Sequence, residues 1–157
     1  MPGSSRVWIY QADRELNPAE QEWFNTKSKE FVDQWTAHKK YLNAEMELVY
    51  NRFVLVVVEN QNDLSGCGID KSVNFLKEVE NELGIKLFDR MQVAYRDHKG
   101  EINSVASAQV PELLASGLMT EATLIFNNTM QTKEELDASW EIPLRNTWLS
   151  KYIRYSV

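Results

Sequence analysis

The run Phe53-Val54-Leu55-Val56-Val57-Val58 constrains this chain more than any other stretch, because consecutive apolar β-formers leave neither face of a strand for water. Such a strand lies centrally in a sheet and is covered on both sides. The stretch before it, Ala44 to Tyr50, alternates instead. Ala44, Met46, Leu48 and Tyr50 share one side, with Glu45, Glu47 and Val49 on the other, the pattern of a strand with one solvated face. The Asn51-Arg52 link is short enough to join the two strands as a hairpin.

Two amphipathic stretches read as helices. Asn17-Pro18-Ala19-Glu20 supplies a cap, a proline at the first helical position and a glutamate three residues after the cap. Trp23, Phe24, Phe31, Val32 and Trp35 then line one stripe of a helix expected to end near Ala37 or His38. The second helix is expected to begin near Ile69, since Ile69, Val73, Leu76, Val79 and Leu83 recur at helical spacing until Gly84 stops it. Val7 to Tyr10 is a short β-prone segment ahead of the first helix.

Farther along, Met91 to Arg96 and Ile102 to Ser107 flank Asp97-His98-Lys99-Gly100, which reads as a hairpin turn with glycine in the left-handed position. Val110 to Leu114 starts a brief helix that Gly117 closes, Ala122 to Phe126 reads as a strand, and Thr132-Lys133-Glu134-Glu135 is a second capping box. Pro143 opens a last segment in which Leu144, Trp148, Tyr152 and Tyr155 are expected to share a face. This order predicts an α+β fold: a mainly antiparallel sheet with two long helices packed on one face, a ferredoxin-like (split βαβ) core, and a C-terminal strand and helices. At 157 residues the chain is expected to form one globular domain, 1–157.

Net charge of −6 and a pI near 5.0 leave no basic field for a phosphate backbone, so no nucleic-acid partner is expected. The longest apolar run falls far short of the roughly 20 residues that a membrane-spanning helix needs. No apolar stretch of signal-peptide length precedes Val7, and a lone cysteine forms no internal disulfide, zinc ribbon or CxxC pair. Cytoplasmic residence in a reducing compartment, with neither metal nor cofactor, is the expectation.

Chemistry is most plausible at Asp63-Leu64-Ser65-Gly66-Cys67-Gly68-Ile69-Asp70, where the only cysteine sits between two glycines. A strand feeding a glycine-rich turn and then a helix aims unpaired N–H groups and the positive end of a helix dipole at one point, which favours an anion or a thiolate. It is no phosphate-binding loop. With Lys71-Ser72 as the end of G-x-x-x-x-G-K-[ST], the required glycines fall on Ser65 and Asp70. A C-x5-R phosphatase loop fails too, because Val73 stands where the arginine is needed.

Cys67 is a candidate nucleophile, with His38 after the first helix as its base in preference to His98 at a hairpin tip. The plainer reading makes Cys67 a small buried hydrophobe. Asp70 is expected to cap the helix or complement its dipole. Arg90 either pairs with Asp89 or binds a carboxylate. Most of the five tryptophans are expected in the core.

Three stretches taken together, Arg6 to Arg14 (RVWIYQADR), Gln34 to His38 (QWTAH) and Ser65 to Val73 (SGCGIDKSV), resemble a family of small bacterial proteins of no established role, often catalogued as ABC transporter ATPases. Leu87-Phe88-Asp89-Arg90 is similar as well. The resemblance runs to about Arg96 and weakens afterwards. The ATPase label does not fit these residues: there is no Walker A loop, and Leu64-Ser65-Gly66 begins like an LSGGQ signature but continues with Cys67-Gly68. What the resemblance carries over is a set of residues without roles: Trp35, His38, Cys67, Asp70 and Arg90.

The leading functional expectation is a domain that binds a small anionic ligand or a protein partner at the Ser65–Asp70 turn, through Ser65, Gly66, Gly68 and Asp70 with Arg90 and Trp35. One alternative is a cysteine-dependent enzyme using Cys67 and His38, acting on an acyl or thioester-like substrate. Another is a homo-oligomer packed through its aromatic C-terminal segment, Trp140 to Tyr155.

Overall fold

The computed structural model describes residues 1–37, 42–59 and 66–155. Among them the apolar run becomes β3 (Phe53–Glu59), the middle strand of a three-stranded antiparallel sheet between β1 (Arg6–Gln11) and β2 (Asn43–Val49). Every side chain from Phe53 to Val58 is at most 5% exposed, so both faces are covered as the pattern requires. β1 and β2 each run antiparallel to β3, and the helix α1 (Pro18–Ala37) connects them.

The β2–β3 link is one residue longer than Asn51-Arg52. Tyr50 and Asn51 both take left-handed backbone angles, φ 53° and 59°, and the Arg52 N–H donates to the Val49 carbonyl at 3.2 Å. Two positive φ values in succession match the right-handed twist of paired strands, which is why such turns close hairpins.

α1 opens on the expected capping box. The Glu20 N–H donates to Asn17 Oδ1 at 2.8 Å, and the Asn17 N–H donates back to Glu20 Oε1 at 2.9 Å. Arg14 then grips the Glu20 carboxylate with both guanidinium nitrogens at 2.8 Å and donates to the Leu83 carbonyl at 2.9 Å, at the end of α2 (Gly66–Leu83). The Arg14 hydrogen bonds, reinforced by the Asn17 backbone, lower the Glu20 pKa from 4.5 to about 2. A depressed carboxylate pKa contributes stability that is fully present above the unfolded value and lost as pH falls through the folded one. Glu20→Gln keeps the cap's geometry and removes the charge, so urea unfolding across pH 4.5 to 2 is expected to fall less steeply in the variant. Equal slopes would show that the pair adds nothing, as many solvent-screened pairs do.

α2 begins at Gly66, three residues ahead of the expected Ile69, and ends where Gly84 turns left-handed at φ 64°. Phe24 and Trp35 of α1, Leu76 and Val79 of α2, and Val54, Val56 and Val58 of β3 belong to one buried apolar cluster, which Ala44 joins. Met46 and Leu48 pack against it while Glu45 and Glu47 are exposed, the alternation read in β2.

The expected single sheet is two. β4 (Gln92–Arg96) does not join the first but forms a second antiparallel sheet in the order β5-β4-β6-β7, with β5 (Ile102–Ala106), β6 (Leu124–Phe126) and β7 (Glu141–Pro143). Both edges of β4 are taken within the second sheet: β6 pairs along one, and the Asp97–Gly100 turn closes β5 onto the other. Asp97 Oδ1 accepts from the N–H groups of Lys99 and Glu101, its Oδ2 accepts from Asn103, and Gly100 takes φ 78°. Pro143 lies in the edge strand β7, where a missing N–H is tolerated.

The chain divides into two compact units, Met1–Phe88 with Thr129–Asp137, and Asp89–Asn128 with the C-terminal residues from Ala138. In the first, the Val7 N–H donates to the Gln131 carbonyl and the Lys133 N–H to the Ser5 carbonyl, which sets the start of α4 (Lys133–Ser139) beside β1. The second has its own core, in which Val110 of α3 (Val110–Ser116), Met119, Leu144 and Leu149 are all but inaccessible. Across its sheet, Arg96 Nε donates to Glu141 Oε1 at 2.8 Å, with the guanidinium over the Phe126 ring. The C-terminal segment is not α-helical: Leu144–Asn146 and Trp148–Tyr155 are 3₁₀ turns. No helix among the described residues is long and apolar enough to cross a membrane.

Candidate functional site

The earlier start of α2 changes what its first residues can do. Cys67 and Gly68 lie inside the first helical turn, and Asp70, the fifth helical residue, stands beyond the positions from which a side chain caps an N-terminus. Asp70 is exposed and Gly68 is buried. The expected capping role of Asp70 is therefore replaced by an outward placement on the helix. His38, Ser65 and the side chain of Cys67 lie outside the described residues. Arg90 belongs to the second unit, is exposed, and makes no ion pair with Asp89, whose Oδ1 instead accepts from the Met91 N–H at 3.0 Å.

Of the carried-over residues, Trp35 stands in the most developed surroundings. It is 4% exposed on the last turn of α1, and its indole Nε1–H, closed off from water, has no acceptor among the described residues. Such a donor costs roughly 1–3 kcal/mol relative to a satisfied one. Its ring stacks on Phe31 at 5.4 Å between centroids and 30°, and Phe31 stacks on Phe75 of α2 at 4.6 Å and 11°. The two helices thus meet through a ladder of three rings.

Above this ladder lies a groove of about 300 Å³ lined by Phe31, Gln34 and Trp35 from α1 and Lys71, Asn74, Phe75 and Glu78 from α2. Its walls pair flat apolar rings with one cation, one carboxylate and two amides, the mixture by which a small-molecule site fixes orientation as well as burying surface. Lys71 directly follows Asp70, so the groove starts one turn into α2.

Asn74, Phe75 and Glu78 do not stand out in the sequence, and Lys71 does so only as the lysine of a phosphate-loop match that fails. Their spacing of three, four and seven residues is a second helical stripe beside the apolar one, and Phe75 within it was the available signal. Among the described residues no group of three or more His, Cys, Asp or Glu side chains is placed to hold a metal ion. The tryptophans divide: Trp35 and Trp140 are buried, Trp8 and Trp23 half-buried, and Trp148 is 53% exposed.

No family model matches the chain, and neither a curated protein nor a solved structure matches it.

Proposed function

We propose that this chain is a non-catalytic binding domain that takes a small anionic ligand with a planar apolar body, such as an aromatic carboxylate, into the α1–α2 groove that Lys71 lines one turn into α2. The observation that carries the reading is the wall of three stacked rings, Phe31, Trp35 and Phe75, in a groove that Lys71 also lines. The Lys71 ammonium supplies a donor for the carboxylate, and Asn74 and Gln34 supply hydrogen bonds that select its orientation. The rings of Phe31 and Phe75 give a flat ligand a surface on which to stack. The same reading treats β1, α1 and β2 with β3 between them as a split βαβ unit carrying both long helices on the Val54, Val56 and Val58 side. The cluster shared by Phe24, Trp35, Leu76, Val79 and those valines supports it.

Thermal shift against benzoate and larger aromatic carboxylates tests the proposal. The expected result is a melting temperature that climbs with ligand concentration as mass action requires, and about 2.7 kcal/mol of added stability at a hundredfold excess over Kd. Lys71→Ala removes the response while leaving the ligand-free protein unchanged, because Lys71 is exposed. Trp35→Phe keeps a ring in the groove wall and deletes a donor that the groove does not reach, so the ligand-free variant loses little stability and keeps its response to ligand. An unaltered response in Lys71→Ala, or none from any compound in the wild type, would sink the assignment.

A further inference from the structure

β2 is the outermost strand of its sheet, and along its free edge the alternate backbone N–H and C=O groups have no strand partner among the described residues. The opposite edge is engaged, since β1 bridges to Thr132 at Arg6 and the Val7 N–H donates to the Gln131 carbonyl. Beside the free edge runs a second groove, of about 290 Å³, between α1 and the stretch Ala44 to Leu48. Its apolar floor comes from Val32, Met46 and Leu48, all half-buried. Its charges are Lys29 against the three carboxylates of Asp33, Glu45 and Glu47.

The spacing of those carboxylates identifies the occupant. Glu45 and Glu47 are exposed two residues apart, the repeat of a β-strand, so an added strand sets its own alternate side chains opposite them. A second copy of this chain pairing β2 to β2 would bring glutamate against glutamate, which cross-strand electrostatics disfavour. Lysine or arginine at every second position satisfies both carboxylates, and the intervening residues then face the Val32–Met46–Leu48 floor. We propose that the edge of β2 binds an extended basic peptide of alternating cationic and apolar residues as a fourth strand of this sheet. The surface is separate from the Trp35 groove and does not depend on it.

The test is fluorescence anisotropy of the full chain with an end-blocked octapeptide alternating lysine and valine. Two comparators isolate charge from strand addition: one has glutamate for lysine, and the other has proline for valine, which keeps the charge but cannot pair along an edge. The lysine–valine peptide is expected to bind at least tenfold more tightly than either comparator. Glu45→Lys/Glu47→Lys is expected to weaken that binding at least tenfold, and hydrogen exchange of the β2 amides is expected to slow when the peptide is bound. Should the double variant not fold, Glu45→Gln/Glu47→Gln carries the same comparison. Equal binding of the proline peptide, unchanged affinity in the charge variants, or no saturable binding below about 1 mM overturns the proposal. A dimer in sedimentation that Met46→Pro dissolves would give the edge to a second copy and overturn it as well.

Discussion

Phe24→Ala is expected to lower the unfolding free energy by about 3–5 kcal/mol, the range for emptying a buried aromatic position. Phe24 is 0% exposed and lies in one cluster with Val54, Val56 and Val58 of β3 and Leu76 of α2, so the truncation withdraws contacts from a helix, a strand and a second helix together. The surrounding side chains are poorly placed to collapse into the space. Val54, Val56 and Val58 are β-branched with restricted rotamers, and their strand is hydrogen-bonded along both edges. Domains of this size are stable by about 5–15 kcal/mol, so the loss is a large share of the whole. Urea unfolding should show the midpoint falling with the slope unchanged, since a smaller core leaves the surface exposed on unfolding almost the same. A loss below about 1 kcal/mol would mean that α1 does not hold this ring against β3.

How much was legible differs between local and distant features. The capping box at Asn17–Glu20, the alternation of Ala44 to Leu48, the continuous burial of Phe53 to Val58 and the glycine stops at Gly84 and Gly117 are written within a few residues, because capping, pleating and left-handed turns are short-range physics. Hairpin partners are equally local, as the Asp97–Gly100 turn between β4 and β5 shows, but which sheet a hairpin joins is not: nothing in Gln92 to Arg96 distinguishes the free edge of the first sheet from the edge of β6 that β4 adopts. The candidate site divides the same way. The place of Trp35 on an apolar stripe reads as core, and only the resemblance makes it a site candidate, whereas the groove beside it depends on Phe75 meeting Phe31 across 44 positions of sequence. The expected Asp89–Arg90 pair fails for a related reason: adjacency suggests it, yet the carboxylate closes its own turn onto the Met91 N–H.

The C-terminal segment yields the second large effect, and there the helical period decides which residue is inside. At 3.6 residues per turn, Leu144, Trp148, Tyr152 and Tyr155 share a face and Trp148 points to the core. At three per turn, the geometry of the Trp148–Tyr155 3₁₀ stretch, residues three apart eclipse one another. Leu149 then aligns with Tyr152, and both belong to the second core, where Leu149 is 0% exposed. Trp148 aligns instead with Lys151, whose ammonium lies 5.1 Å from the indole centroid at the surface. Leu149→Ala is therefore expected to cost about 2–5 kcal/mol. Trp148→Ala forfeits one exposed cation–π contact of about 0.5–1 kcal/mol. The ranking inverts what side-chain size alone would suggest, since the larger ring is the cheaper to remove. Measuring both variants by chemical unfolding separates the two periods: a tryptophan variant that suffers more than the leucine variant would restore the α-helical face and discard the 3₁₀ one.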